Sequence, residues 1–348
     1  MMNLKKNINI YKYYLYQVHS SGIKIYKTIL LWSIVAGFVE MLSLGMVVPI
    51  IIGMLEIMEN GSGSNTFISN LTVYISINNI FLMMILSIAI IFLVKIMFIK
   101  WFQKKLIFSA NLYEADISTA WLEEIINWDY SKFILKDTGK LLRTITSDVS
   151  NSVHLVFLPS LGLVAEVISI IGVLIATYFI SSTVFLIECA MVLVFLLFSY
   201  IKRSKTGKIQ EYGKQQQMYE SKRLLSAKSF FDSYKEMKVH KNDLFIVNHY
   251  REYVENKAYF SSMNQFIQQV PRLYVELALV LVIVSTLLTV YFLMPDEESI
   301  KTTIVVLIVG GMRVAPSFTK IISSISSISF GFQSLKWIVE DFKIMRSE

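Results

Sequence analysis

Six ionisable side chains lie within or beside long apolar stretches and are the residues best placed to do chemistry. They are Glu40, Glu166, Arg272, Glu276, Arg313 and Lys320. A charge at the centre of a bilayer costs about 2.5–3.5 kcal/mol or more, so such residues usually serve a function. We therefore predict that these six line a substrate cavity.

Arg313 leads to the most specific of these predictions. Like Glu40 and Glu166, it lies about a dozen residues into its apolar stretch, which places it near the middle of a membrane. It either pairs with one of the two glutamates or faces a central cavity. In the cavity it would attract an anionic headgroup such as a pyrophosphate.

The remaining three residues lie closer to the ends of their apolar stretches. Arg272 and Glu276 are four residues apart, on one face of a helix, and are expected to pair with each other. Arg272 and Lys320 are also placed where a long side chain can reach the inner membrane surface and keep its charge in water.

Phosphate-binding motifs are absent from the sequence. The pattern G-x-x-x-x-G-K-[ST] does not occur, because neither Gly139-Lys140 nor Gly207-Lys208 is followed by Ser or Thr. We therefore expect no ATP hydrolysis and no cofactor in this chain. The four histidines are scattered, without the spacing of metal ligands.

The whole chain has the composition of an integral membrane protein. Of its 348 residues 54% are apolar and 17% are charged, whereas about 25% are charged in soluble domains. A membrane-spanning helix needs about 20 mostly apolar residues, and six stretches approach that length. They are Ile29–Leu55, Ile80–Phe102, Leu155–Ile180, Thr183–Ile201, Leu273–Phe292 and Ile300–Ile322.

The basic residues orient the six predicted spans. Of the 33 Lys and Arg residues, 32 lie on the side of the N-terminus or within spans, and only Lys301 falls in an outer loop. The positive-inside rule makes that side cytoplasmic. Both termini are therefore predicted to be cytoplasmic. The net charge of +7 then reflects this orientation, not nucleic-acid binding.

Residues 1–28 predict an amphipathic helix lying on the membrane surface. Leu4, Ile8, Tyr11 and Leu15 recur at helical spacing, beside several lysines. A short soluble helix is the alternative. The tyrosines between positions 11 and 16 favour the membrane interface, where tyrosine is enriched.

The two inner connections are too long, and too poor in glycine and proline, to be simple loops. No proline occurs between Pro49 and Pro159. We therefore predict that the spanning helices continue into the cytoplasm as two hairpins, with two small inserted domains as the alternative. A helix over residues 80–126 would be roughly 70 Å long, and the membrane needs only about 30 Å of it. The hairpins should turn near residues 129–139 and 240–245, each through a short crosswise helix.

Short motifs, in order along the chain, resemble the transmembrane half of an ABC exporter. Three motifs are similar to the family's first intracellular loop: Asp129-Tyr130-Ser131-Lys132-Phe133, Thr138-Gly139-Lys140-Leu141 and Ser147-Asp148-Val149. Two are similar to its second intracellular loop: Glu236-Met237-Lys238-Val239 and Asn242-Asp243. The segments 271–276 and 313–317 are similar to bacterial lipid-linked-oligosaccharide flippases. Those proteins have two leucines where this chain has Val314 and Ala315.

The resemblance implies a dimer of two such halves that exchange helices and dock on ATP-binding domains. The residues that it assigns to docking, at the hairpin tips, are Asp129, Tyr130, Phe133, Asn242, Asp243 and Phe245. ATP and magnesium would then be bound by a partner nucleotide-binding domain, which this chain does not contain.

The sequence thus predicts an all-α membrane protein, with an interfacial helix at residues 1–28 and a six-helix ABC-transporter domain at 29–346. The expected function is the permease half of an exporter or flippase, in which alternating access moves an anionic amphiphile such as a lipid-linked glycan. An exporter of peptides or other lipids, another class of transporter, and a scaffold without an ATPase are the alternatives. A channel or secondary transporter is disfavoured because its helices should not project about 40 Å inward, and no inverted repeat is evident.

Overall fold

Long α-helices make up the protein in this computed structural model, and the described residues contain no β-strand. The structure describes residues 10–15, 20–60, 77–134, 137–180, 185–186, 189, 192–193, 206–240, 243–293 and 297–347. Its helices are α1 (Ser20–Asn60), α2 (Ile77–Ile126), α3 (Tyr130–Ile134), α4 (Thr138–Arg143), α5 (Val149–Ser152), α6 (Leu158–Ile180), α7 (Thr206–Asp232), α8 (Tyr234–His240), α9 (Asp243–Leu293) and α10 (Glu297–Ser347). One π-helical turn, Thr144–Asp148, joins α4 to α5, and a second, Val153–Phe157, joins α5 to α6.

The predicted spans fall within these helices wherever the chain is described. Three segments of the described part are long and apolar enough to cross a membrane, at Gly22–Val47, Leu82–Ile126 and Thr138–Phe179. The predicted fifth and sixth spans lie inside α9 and α10, and most of the fourth, Thr183–Ile201, lies outside the described residues. The all-α membrane fold is therefore confirmed.

The helices also continue well beyond their apolar stretches, as the scarcity of helix breakers predicted. With 50 residues, α2 is about 75 Å long, whereas a bilayer core is about 30 Å thick. We call residues 103–126, 137–157, 206–270 and 323–347 the extensions. Two hairpins form there, one between α2 and the segment 144–157, and one between α7 and α9.

The main packed core lies largely in the extensions. Ala110, Tyr113, Ile117 and Trp121 recur every three to four residues along α2, and each is at most 2% exposed. This spacing turns one face of the helix inward. That face packs against the beginning of α1, the two π-helical turns and the end of α10. Burying a large apolar side chain contributes about 1.5–3 kcal/mol, so this stripe is a major source of stability.

Residues 10–15 attach to this core. Tyr14 is fully buried, and its hydroxyl lies 3.0 Å from the Ser152 hydroxyl. The Tyr113 hydroxyl donates to the Tyr14 carbonyl oxygen at 3.1 Å. The predicted surface helix over residues 1–28 stays a prediction. The structure adds that Tyr14 and Leu15 face protein, and that α1 already begins at Ser20.

Two glycines show where helices approach one another closely and where they do not. A Cβ atom at Gly213 in α7 would collide with the backbone carbonyl oxygen of Phe330 in α10. Only glycine therefore permits this contact between α7 and α10. In contrast, a Cβ atom at Gly162 in α6 would meet nothing within 4 Å.

Candidate functional site

The tip of the first hairpin presents apolar side chains to solvent. Asp129 precedes α3, and its carbonyl oxygen accepts a hydrogen bond from the Phe133 N–H at 3.2 Å. Tyr130 is 77% exposed and Ile134 is 64% exposed, with Phe133 at 40% between them. A cluster of exposed aromatic and aliphatic groups at the end of a long arm is typical of an interaction surface. Three predicted docking residues thus lie together at this tip.

The second tip also contains a short helix, but a few residues earlier than predicted. The short helix is α8, Tyr234–His240, while Asp243 and Phe245 lie in the first turn of α9. Aspartate favours helix starts, and Asp243 is the first residue of the long helix α9. Asn242 lies outside the described residues.

Phe245 is nevertheless an exposed residue of the second tip. It is 70% exposed, and its neighbour Leu244 is 79% exposed. Its ring stacks on His249, one turn further along α9, with centroids 6.2 Å apart. Both hairpins therefore end in exposed apolar groups, and both do so at the ends of the extensions.

A buried polar network close to the tip of the first hairpin connects three helices. Arg143, the last residue of α4, donates through Nε to Asp148 Oδ2 at 2.8 Å. Its Nη1 donates to the Ser221 hydroxyl of α7 at 2.8 Å, and its guanidinium lies 4.0 Å above the Trp337 ring of α10. Ser334 of α10 donates to the other oxygen of Asp148 at 3.2 Å.

The π-helical turn explains why Arg143 and Asp148 can meet. In a regular α-helix two residues five positions apart lie about 140° apart around the axis. The wider turn at Thr144–Asp148 brings them onto one side. Both side chains are at most 5% exposed. Burial raises the pKa of Asp148, while the Arg143 guanidinium and the Ser334 hydroxyl oppose that effect.

A second polar network joins α7 to α9. Glu220 contacts Arg223 at 2.7 Å and Lys257 of α9 at 2.9 Å. Although burial alone would raise the pKa of Glu220, the hydrogen bonds from Arg223 and Lys257 lower it overall. Arg223 also donates to the Tyr250 hydroxyl at 3.3 Å.

A polar cavity of about 180 Å³ separates the two networks. Residues from both networks line it, together with Ser147 and Asn151. Opposite charges face each other across the cavity, so it carries no strong net charge. It lies in the extensions, away from the apolar stretches that a membrane-embedded substrate would cross.

The six charged residues of the predicted substrate cavity are only partly brought together. Lys320 Nζ lies 2.7 Å from Glu166 Oε1, which links α10 to α6. Arg272 Nε lies 2.9 Å from Glu276 Oε1 on the exposed face of α9, as their spacing predicted.

The structure gives less detail for the other two residues of the predicted cavity, Glu40 and Arg313. Glu40 is half-buried in α1. Arg313 belongs to α10, but its side chain lies outside the described residues. Its predicted pairing with a glutamate stays a prediction. One described partner of Glu166 is Lys320, which lies seven residues after Arg313 on α10.

Sequence reasoning missed most of the Arg143 network. Asp148 was singled out as part of a motif, but Arg143, Ser221 and Ser334 were not. Ser221 lies between Glu220 and Lys222, and Ser334 lies between Gln333 and Leu335, so no local pattern marks either serine as buried. The described residues contain no group of three His, Cys, Asp or Glu side chains arranged to hold a metal ion.

Comparisons with known proteins identify the fold. No model of a known protein family matches the chain, and no curated protein sequence does. The chain is similar to a solved structure of a bacterial Atm1-family ABC exporter with ATP bound, with a TM-score of 0.70 and 10% sequence identity. The match covers 95% of this chain and 55% of that one, so this chain spans about half the length of the exporter. The protein therefore has the transmembrane fold of an ABC exporter.

Proposed function

We propose that this chain is the permease half of an ATP-driven exporter of an anionic amphiphile, such as a lipid-linked glycan. It acts as a dimer, in the inner membrane of a bacterium, with both termini in the cytoplasm. A nucleotide-binding domain, which holds the ATP and magnesium, docks on the hairpin tips. Closure of two such domains on ATP drives alternating access in the membrane part.

The observation that carries this proposal is the pair of hairpin tips. Tyr130 and Phe133 at one tip, and Leu244 and Phe245 at the other, are exposed apolar groups at the ends of helices far longer than a membrane requires. Exposed apolar groups of this kind gain free energy when a partner covers them. The exporter fold gives such arms a use, because a motor domain has to be held away from the bilayer.

The charged residues of the membrane part support an anionic substrate. Arg313, Arg272 and Lys320 bring three positive charges to the predicted cavity, and Glu40, Glu166 and Glu276 bring three negative ones. Glu276 and Glu166 lie next to Arg272 and Lys320, so the proposal requires the charge of Arg313 to face the cavity. Arg313 and Lys320 are seven residues apart on α10, or about 10 Å along its axis. An amphiphile whose headgroup carries a phosphate or pyrophosphate would be attracted to this positive segment, while its tail stays in lipid.

Docking can be tested by removing the aromatic groups at the tips. Tyr130→Ala combined with Phe133→Ala, and separately Phe245→Ala, should abolish most of the vanadate-sensitive ATPase activity of the full protein purified from its membrane. The matched control is Tyr259→Ala, because Tyr259 is 56% exposed but lies on α9 about 24 Å from its start. Equal activity of tip and control variants would contradict docking at these tips.

The substrate cavity needs a transport measurement. Arg313→Ala should lower, at least tenfold, the ATP-dependent movement of a fluorescent lipid with an anionic headgroup in proteoliposomes, because the headgroup loses its attracting charge. Lys301→Ala, in the predicted outer loop, removes the same charge elsewhere and serves as the control. An unchanged rate in Arg313→Ala protein that dimerises normally would refute the role of Arg313.

A further inference from the structure

One lysine on α2 is held between two tryptophans. Lys105 Nζ lies 4.9 Å from the ring centroid of Trp32 in α1 and 5.2 Å from that of Trp101 in α2. The two indole rings themselves meet edge to face, with centroids 4.7 Å apart, and Phe98 packs against both. A cation within about 6 Å of an indole ring is attracted to its face, most strongly with tryptophan. Lys105 is therefore fixed in place, unlike most lysines at a protein surface.

This cluster lies where two apolar stretches end. Trp32 is the fourth residue of the predicted first span, and Trp101 is the last but one of the second. Tryptophan is enriched at the boundary between hydrocarbon and lipid headgroups. Trp101 is 45% exposed. The Lys105 ammonium group is therefore held at the depth of the headgroup phosphates.

The surroundings of the cluster are positive. The chain has no acidic residue before Glu40, and none between positions 77 and 113. Lys24, Lys27, Lys100 and Lys104 lie within the same parts of α1 and α2 and are exposed. The nearest acidic residue further along α2 is Glu114, which is 2.9 Å from His154. No carboxylate of these two segments competes for the Lys105 ammonium group.

We propose that Lys105, Trp32 and Trp101 form a binding site for the phosphate of an anionic phospholipid in the leaflet that carries the basic residues. The two rings stabilise the cation through their faces and leave ammonium N–H groups to donate to the phosphate oxygens. The neighbouring lysines raise the local concentration of anionic lipid. The naming of this leaflet as cytoplasmic rests on the orientation in the proposed function, but the site itself does not depend on transport.

The test compares two lysines at nearly the same depth. Lys104 is next to Lys105, but its only described aromatic neighbour is Phe108, at 5.8 Å. The variants Lys105→Gln and Lys104→Gln lose the same charge. Their lipid retention should therefore differ only if Lys105 and the two tryptophans form a specific binding site. Each protein is placed in nanodiscs of phosphatidylcholine, with and without phosphatidylglycerol, and then extracted. Native mass spectrometry measures how much phosphatidylglycerol the protein retains.

We expect Lys105→Gln to weaken phosphatidylglycerol retention at least about fivefold, because a charge-assisted hydrogen bond to the phosphate is lost. Lys104→Gln should weaken it less than about twofold, because an exposed lysine acts only through the surface field that salt screens. Trp101→Leu keeps the charge but removes one ring, and should weaken retention as Lys105→Gln does. Equal effects of the two lysine variants would overturn the proposal, because they would indicate a general surface charge. Displacement of the lipid by inorganic phosphate alone would also overturn it.

The measurement separates this proposal from the proposed function. Nanodiscs expose both leaflets to the same lipid, and no ATPase is needed. If the unmodified protein transports normally but shows no preference for phosphatidylglycerol, the lipid site alone is refuted. If it retains phosphatidylglycerol but does not transport, the exporter function alone is refuted. Should Lys105→Gln protein not fold, which its thermal unfolding midpoint in pure phosphatidylcholine reveals, Trp101→Leu gives the same answer.

Discussion

The two halves of α2 place the same kind of side chain in opposite surroundings. In the apolar half, Leu93 is 61% exposed and Met97 is 72% exposed. In the extension, Tyr113 and Ile117 are fully buried. A single helix therefore has lipid as the solvent for one half and a protein core around the other. The difference teaches that hydropathy locates the membrane, whereas packing that defines the helix arrangement is concentrated outside it.

The largest effect should come from the buried ion pair of the extensions. Arg143→Met leaves Asp148 as an unpaired buried charge, which costs about 3–5 kcal/mol of the free energy of unfolding. Lys336→Met is the control, because Lys336 contacts Glu340 at 3.7 Å on the surface and an exposed pair contributes about 0–1 kcal/mol. Denaturant unfolding in detergent micelles measures both. Equal losses would mean that the Arg143 network does not anchor the hairpin.

The comparison within α2 can be tested directly by truncating one side chain in each half. Trp121→Ala should cost about 3–5 kcal/mol because it empties a filled core position. Leu93→Ala should cost less than about 1 kcal/mol, because exposed positions are usually insensitive. Thermal unfolding in the same detergent gives both values. A large loss for Leu93→Ala would instead indicate that another helix covers this face in the assembled protein.

The smallest of these effects concerns the two glycines. Gly213→Ala should cost about 1–3 kcal/mol, because the backbone of α10 has to move away from α7. Gly162→Ala meets no neighbour, so it should instead gain up to about 1 kcal/mol from the higher helix propensity of alanine. Opposite signs of the two shifts in unfolding midpoint support the close contact of α7 with α10. A neutral Gly213→Ala would contradict it.

Much of the architecture was predictable because it depends on composition and on residues that break helices. Long apolar stretches locate the spans, and the absence of proline between Pro49 and Pro159 predicts helices longer than a membrane. Tyr130 and Phe133 could be placed at a tip because a turn was visible at Asp137. The Asp137 carboxylate indeed accepts from the Gly139 N–H at 2.8 Å, at the start of α4.

Other features depend on contacts that no local pattern contains. Glu166 and Lys320 meet at 2.7 Å across 154 residues of sequence. The pairing of Arg143 with Asp148 requires a π-helical turn, for which the sequence gives no recognised signal. The position of α8 was missed because Asp243 could either end a turn or begin a helix, and the structure uses it for the latter.

The two π-helical turns also determine how α6, which follows them, is rotated about its own axis. Each accommodates one surplus residue relative to a regular α-helix, and one residue corresponds to about 100° of rotation. A helical wheel drawn through residues 138–180 with a single period therefore assigns the faces of α6 incorrectly. Deleting one residue from either turn would keep the helix continuous but rotate α6 relative to the hairpin below it. The carboxylate of Glu166 would then turn away from Lys320. A one-residue deletion in the extensions would therefore break an ion pair in the membrane part of the protein.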